Sequence, residues 1–421
     1  MRRVDVLVLG AGITGVSAAL HLQGRGLRVL LVDRRSPGED TSRGNTGLLG
    51  RDGFSPVLLP SSVLGLAMHA LSPLQRPRVE PRSVPALLPF LAASRAAAQP
   101  VAMARSARAL APLQGAAVGE HLALARAASA LRFFRRTGWI KIQRSREALE
   151  AAEIERHFAR VLGVPYADLV AQDIVRLEPH LRALDHAAMS WPESQSVSSP
   201  GGVTKAYARL FRERGGETGT GDAATLVEIR QGYGLRTARG EVEATQVVVA
   251  LGAGAMPLLD RLGQSLPGAA CRSYHRHFRA VSGVALSRPV TDVDAGFTLT
   301  PMERGLRLIG GAELLSPARA TGDLAPRLSA LNRATTLART LLPLGAAVEE
   351  APVAGLRAFV PDLLPIVGPV PGRPGLWLSI GHERDGFALA PAMGRLLADL
   401  MTDALPLADP LPYAPARFLL Q

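Results

Sequence analysis

Three glycines spaced G-x-G-x-x-G, at Gly10, Gly12 and Gly15, end an apolar run over residues 4–9. Glycine at the first position permits a sharp exit from a strand. At the second it leaves the backbone open to a pyrophosphate, and at the third it lets the following helix pack close to the sheet. A helix starting there offers unpaired N–H groups and a partial positive charge. A second apolar run, residues 28–32, ends at Asp33, 18 residues beyond Gly15. An acid there accepts hydrogen bonds from a ribose and repels a 2′-phosphate, which argues against NADP. Strand, tight turn, helix, strand and acid together predict a dinucleotide site, without deciding between FAD and NAD.

Two later stretches repeat the device. The apolar run 247–251 ends at Gly252 and Gly254, and the run 376–380 leads into the turn 381–386 (GHERDG) and a helical pattern over 387–401. In a parallel sheet these turns reach the same edge as the first. Residues 41–47 (TSRGNTG) read as a polar loop that lets a ligand lie against the backbone. In Tyr274-His275-Arg276-His277, strand alternation sends Tyr274 and Arg276 to one face and the two histidines to the other. A His pair there could take a proton from a substrate. No HExxH and no spaced Cys/His set is present, so no metal is expected. The only cysteine, Cys271, leaves no intramolecular disulfide and no cysteine-ligated cluster.

These residues need elements to place them. Residues 56–136 are helical and Ala-rich between prolines. Residues 139–142 alternate as a strand, 147–162 form a surface helix with pairs such as Glu153 and Arg156, and 204–215 form another helix. Residues 225–230 and 234–238 read as a hairpin. Residues 277–286, 297–300 and 307–311 read as an antiparallel sheet, with a turn at 302–305, and 326–342 as a long helix. The chain has 421 residues, 47% of them apolar, enough for two domains or one large domain with an insertion. Its formal charge of +12 is almost all arginine, since lysine occurs only at Lys141 and Lys205. No basic run interleaved with aromatics marks a nucleic-acid face. Met1-Arg2-Arg3 is not read as a leader, because Asp5 and the glycine turn interrupt the apolar core. Residues 53–75 lack Asp, Glu, Lys and Arg, but Pro56, Pro60 and Pro73 break any spanning helix. They are expected to lie over the active site, an interfacial membrane patch being the alternative.

The order of motifs resembles the FAD-dependent D-amino-acid oxidoreductase family, which includes glycine oxidase, D-amino-acid dehydrogenase and sarcosine oxidase. The resemblance rests on residues 4–47, on VVVALGAGA at 247–255, and on a C-terminal set. That set comprises Gly355-Leu356-Arg357, Pro361-Asp362, Pro365, Gly368-Pro369, Gly381-His382, Gly386 and residues 390–395 (APAMGR). Ala358 and Leu363 depart from the usual GLRP and PDG forms. The resemblance implies an α/β protein, α+β overall. A Rossmann-like FAD-binding domain with a parallel sheet (1–75, 140–265 and 345–421) would join a substrate or cap domain with an antiparallel sheet (76–139 and 266–344). It implies non-covalent FAD held by Gly10, Gly12, Ile13, Thr14, Gly15, Asp33, Arg34, Thr41, Ser42, Asn45, Leu226, Gly252, Gly381, Gly386 and Phe387. Arg357, Arg384, His382, Tyr274 and His277 are the expected catalytic set. Arg357, the arginine of the GLR motif, would grip a substrate carboxylate with its planar fork, an ion pair to Asp362 being the alternative.

The implied reaction is oxidation of the C–N bond of a D-amino acid, glycine, sarcosine or similar amine by hydride transfer to flavin, giving an imine that water hydrolyses. Oxygen or a quinone would take the electrons, in the cytoplasm or at the inner face of the plasma membrane. Two alternatives stay open: an FAD-dependent dehydrogenase of 2-hydroxy acids or glycerol phosphate, and a flavin subunit of a hetero-oligomeric opine- or sarcosine-type dehydrogenase.

Overall fold

The computed structural model describes residues 2–52, 78–182, 187–320, 328–381 and 383–419. The segment 53–75 expected over the active site, and His382, lie outside these residues.

The opening run forms strand β1 (Arg2–Leu9), followed by helix α1 (Ile13–Gly24) and strand β2 (Val29–Asp33). β1 pairs in parallel with β2, Val8 opposite Leu31, and with the strand Gly240–Val249, Leu7 opposite Val247. Leu376–Ile380 joins the far side of Gly240–Val249, also in parallel, and Glu217–Thr220 adds to β2. Parallel strands buried on both faces read as continuous apolar runs, and β1 buries Val6, Leu7, Val8 and Leu9 completely. Helix α1 and the C-terminal helix Gly386–Met401 cover one face. They cross so closely that a Cβ on Gly394 would stand 2.8 Å from the Ser17 carbonyl carbon.

A second, nine-stranded sheet stands beside it. Its path runs Val353–Phe359, Ala269–Phe278, Gly305–Leu315, Phe297–Met302, Val290–Asp292, Trp139–Gln143, Ala187–Trp191 and Ala167–Leu169, with Arg78–Val79 added to Gly305–Leu315. The hairpin expected around residues 302–305 is present, with Met302 opposite Gly305. The helix expected over 326–342 is seen as Ser329–Leu341.

This pairing differs from the division expected from the sequence. Trp139–Gln143, Ala167–Leu169 and Ala187–Trp191, expected with the nucleotide fold, belong to the second sheet. So does Val353–Phe359, which carries Arg357 and pairs with Ala269–Phe278. Conversely, the helix Pro100–Ala127, expected in the cap, packs Leu110, Leu113, Ala117 and Leu124 into the cluster formed by Val6, Val8, α1 and the C-terminal helix. Strand alternation and helical spacing report which face is apolar, but not which partner covers it.

Candidate active site

Two cavities lie at the carboxyl ends of the parallel strands and meet each other. The first has about 420 Å³ and is lined by Gly10, Gly12, Ile13, Thr14, Asp33, Arg34, Thr41, Ser42, Asn45, Gly252, Gly381, Gly386 and Phe387, among others. All three strand–turn–helix units therefore contribute to it, as their shared sheet edge requires. Gly10 adopts φ +107, a left-handed value that glycine tolerates without strain. A Cβ on Gly15 would stand 1.8 Å from the Gly10 carbonyl oxygen, which shows how closely α1 packs on the turn. A Cβ on Gly12 would meet Ser42 Oγ at 3.3 Å, so this glycine keeps the cradle open. α1 begins without a side-chain cap on its first residue, although Ile13 N–H donates to Ser42 Oγ at 2.9 Å. Asp33 stands at the cavity wall and accepts from Ala11 N–H (2.7 Å) and Arg35 N–H (2.9 Å). An elongated glycine-lined cavity, a helix N-terminus and an acid at the end of β2 fit a dinucleotide.

Two residues expected to touch the cofactor do not line this cavity. Gly15 acts by packing under Gly10. Leu226 is buried among Leu30, Val32 and Leu258, and the preceding turn, Gly221 to Ala224, reaches the cavity instead. Glu383 also lines it, unforeseen from the sequence. It adopts φ +48, a region that a non-glycine residue rarely enters. Burial, with neighbouring Asp385 adding to it against Arg384, pushes its carboxyl up to about 7.

The second cavity, of about 320 Å³, lies against the second sheet. Its floor is drawn from six strands and includes Trp139, Lys141, Ser273, Thr291, Phe297, Ile309, Gly355 and Arg357. Thr41, Asn45 and Arg357 line both cavities and so mark where they meet. Thr41 also ties the loop to the second sheet, its hydroxyl donating to Leu356 O at 2.9 Å.

The two arginines expected to bind substrate have different surroundings. Arg357 makes no ion pair among the described residues. Its recorded hydrogen bond is a long one, 3.6 Å, to Cys271 Sγ, and its buried Nε has no acceptor. The alternative partner, Asp362, is held by Arg417 at 2.7 and 3.2 Å. Arg384 also lines the second cavity, but donates to Asp52 at 3.1 Å. The buried Asp52 receives Lys141 Nζ as well, at 2.9 Å, and Lys141 reaches Glu155 at 2.8 Å. Burial opposes ionisation of Asp52, yet the Lys141 and Arg384 charges hold its carboxyl below the usual range. Lys141 sits over the Trp139 ring, 4.3 Å from its centre. Neither Lys141 nor Asp52 was signalled by the sequence, since a single lysine in an alternating strand looks like an exposed residue.

Tyr274 and His277 line neither cavity. Tyr274 is fully buried and donates to Glu313 at 2.8 Å, on the face away from Ser273. The two histidines do share a face, their rings 5.8 Å apart. The cofactor loop covers that face beyond Ser273. His275 lies under Gly44, and Arg307 bridges His277 Nε2 (2.9 Å) and Asn45 O (2.5 Å). His277 Nδ1 pairs with Glu349 at 2.6 Å. Burial keeps both histidines below the usual imidazole range. The pair therefore supports the loop at Asn45.

Among the described residues no helix is long and apolar enough to cross a membrane. The family described as FAD dependent oxidoreductase (DAO) matches residues 5–400. D-amino acid dehydrogenase 2 of Ralstonia nicotianae is 31% identical over 437 aligned positions, covering 98% of this chain and 100% of that protein. Glycine oxidase of Pseudomonas aeruginosa is 40% identical over 185 residues, 44% of this chain and 49% of that protein. The crystal structure of glycine oxidase from Geobacillus kaustophilus superposes with a TM-score of 0.72 at 23% identity, covering 99% of each chain. A glycine-built nucleotide cavity that opens onto a second, charged cavity, together with a family match over nearly the whole length, identifies the chain as an enzyme of the FAD-dependent oxidoreductase (DAO) family.

Proposed function

We propose that this enzyme oxidises the C–N bond of a small amino acid or secondary amine, with non-covalent FAD in the larger cavity and substrate in the smaller one. The observation that carries this reading is Arg357, a cation without a carboxylate partner among the described residues, at the junction of the two cavities. A half-buried guanidinium with an unpaired Nε gains from a carboxylate that completes its hydrogen bonds. A substrate carboxylate held there leaves the neighbouring α-carbon at the cofactor end of the cavity. The similarity to D-amino acid dehydrogenase 2 over the full length points to the same substrate class.

Gly10, Gly12 and the first turn of α1 would hold the pyrophosphate, and Asp33 the adenosine ribose. Thr41, Asn45, Gly381 and Phe387 would flank the ring. FAD bound there supplies the acceptor for the α-hydrogen and its electron pair. Arg357 orients the substrate, while Trp139, Phe297 and Ile309 limit the room for its side chain and exclude water. Arg384, already held by Asp52, forms a wall and does not grip the carboxylate. Cys271 is fully buried and His277 is bound on both ring nitrogens, which supports a cofactor held without a covalent link.

Anaerobic mixing of the flavin-loaded protein with glycine, sarcosine, D-alanine, D-proline and lactate tests the reading. Bleaching of the flavin absorbance by one or more of the amines is expected. Bleaching by lactate alone would replace this reading with that of a 2-hydroxy-acid dehydrogenase.

A further inference from the structure

Among the described residues the acids around the second cavity are hydrogen-bonded to cations, with one exception. Asp292 takes Arg144 at 2.6 Å and caps Ala295 N–H at 2.8 Å. Glu155 takes Lys141 at 2.8 Å. Asp52, behind the wall, holds Lys141 and Arg384. Asp385 lines the cavity and accepts no hydrogen bond among the described residues. Arg384 Nε comes to 3.8 Å of its Oδ1, beyond hydrogen-bond reach, because the guanidinium is turned toward Asp52. Asp385 also immediately precedes the helix Gly386–Met401, where an aspartate often caps, yet its side chain makes no capping bond. The usual structural use of an aspartate at this position is therefore not made.

We propose that Asp385 is the counter-ion for the substrate's ammonium group, so that Arg357 and Asp385 together recognise the two charged ends of a free amino acid. This rests on the substrate reading given above. Among the described residues Arg357 has no ion-paired anion and Asp385 no hydrogen-bonded cation, and both line one cavity. A zwitterion satisfies both. A 2-hydroxy acid satisfies Arg357 but offers the half-buried Asp385 carboxylate a neutral hydroxyl donor in place of a charged one. Asp385 thus selects amines over hydroxy acids.

Burial pushes the Asp385 carboxyl up to about 6. Arg384 on its own turn, Lys141 on Trp139–Gln143 and Arg357 on Val353–Phe359 oppose that rise, and Asp52 adds to it. Glu383, on the same turn, is a further acid whose own carboxyl Asp385 pushes up. The carboxylate is charged above its folded value and neutral below it. Attraction for an ammonium is consequently present above about pH 6 and lost as the pH falls through it.

Two ligands without an α-hydrogen separate the terms. 2-Methylalanine carries a carboxylate and an ammonium. Pivalate has a methyl in place of the ammonium. Binding to the flavin-loaded protein is read from the perturbed flavin spectrum over roughly pH 5.5 to 8. At the upper end 2-methylalanine is expected to bind at least about tenfold more tightly than pivalate. The gap should close on acidification, and Asp385→Asn should close it at every pH without weakening pivalate. A gap that survives Asp385→Asn, or no gap in the wild type, overturns the proposal. Should the variant fail to fold, the wild-type pH series decides, because a gap independent of pH contradicts the assignment. Arg357→Leu separates the underlying reading: if it leaves pivalate binding unchanged, the carboxylate site is elsewhere and the substrate reading itself fails.

Discussion

The nucleotide cavity and the substrate cavity share Thr41, Asn45 and Arg357 but are built in opposite ways. The first is organised by glycine turns, helix N-termini and the ends of neighbouring parallel strands in one sheet. The second is lined by side chains standing on strands of a mixed sheet, and its charges, Arg357 and Asp385 apart, are hydrogen-bonded across elements distant in sequence. Asp52 and Arg384 are 332 residues apart, and Thr41 and Leu356 are 315 apart. Backbone recognition can be written in a contiguous dozen residues. Side-chain recognition requires the register of several strands to be right at once.

Four substitutions can break or sharpen this contrast. The largest effect is expected from Gly15→Val, because its Cβ would fall 1.8 Å from the Gly10 carbonyl oxygen and backbone cannot yield cheaply. Flavin retained per protein after gel filtration should fall below about a tenth of the wild-type value. Normal retention would mean that the turn and α1 are not the rigid cradle described. Arg357→Leu should lower kcat/KM by about 10²–10³, on the order of 3–4 kcal/mol, with flavin content unchanged. A loss under about threefold would remove Arg357 from the substrate site.

His121 supports the nucleotide cavity from beneath. It is fully buried in Pro100–Ala127, hydrogen-bonds Phe387 O at 2.7 Å and stacks on the Phe387 ring, which lines the nucleotide cavity. Burial pushes its imidazole down to about 4. Unfolding lets it take a proton, so its contribution is present above the unfolded value near 6.5 and is lost as the pH falls toward 4. His121→Gln keeps an N–H for Phe387 O. The variant should lose less stability than the wild type between neutral pH and about pH 4.5, by on the order of 2–3 kcal/mol in denaturant titrations. Equal losses would mean that His121 is not buried neutral. The smallest effect is expected from Arg384→Leu, about three- to tenfold in kcat/KM, because Asp52 keeps Lys141 and the substrate loses only a wall. A loss as large as that of Arg357→Leu would erase the distinction between the two arginines.

What the sequence made legible follows the same division. Gly10, Gly12, Asp33 and the turns at Gly252 and Gly386 line the nucleotide cavity, because each belongs to a strand–turn–helix unit whose spacing carries its own geometry. The cavity is reached a few residues before Leu226, at Gly221 to Ala224, since a turn beside a hairpin leaves its reach unspecified. Arg357 is singled out by the GLR motif of the family resemblance, but its freedom from Asp362 depends on Arg417, near the end of the chain. Tyr274 and His277 looked chemical by residue type. Their actual partners, Glu313, Glu349 and Arg307, come from other segments. Lys141 and Asp52 give no signal at all, because a buried ion pair is visible only after the strand Trp139–Gln143 and the loop at Asp52 are both placed.

The most direct test of the account compares an amino acid with its own amide in single-turnover anaerobic flavin bleaching, in the wild type and in Arg357→Leu at matched flavin content. The amide keeps the amine and the α-hydrogen and lacks only the carboxylate. The account predicts that the wild type bleaches with the acid about 10²-fold or more faster than with the amide, and that the variant treats both alike. Equal rates in the wild type, or a gap that persists in the variant, would contradict the claim that the two cavities meet at a carboxylate-binding Arg357.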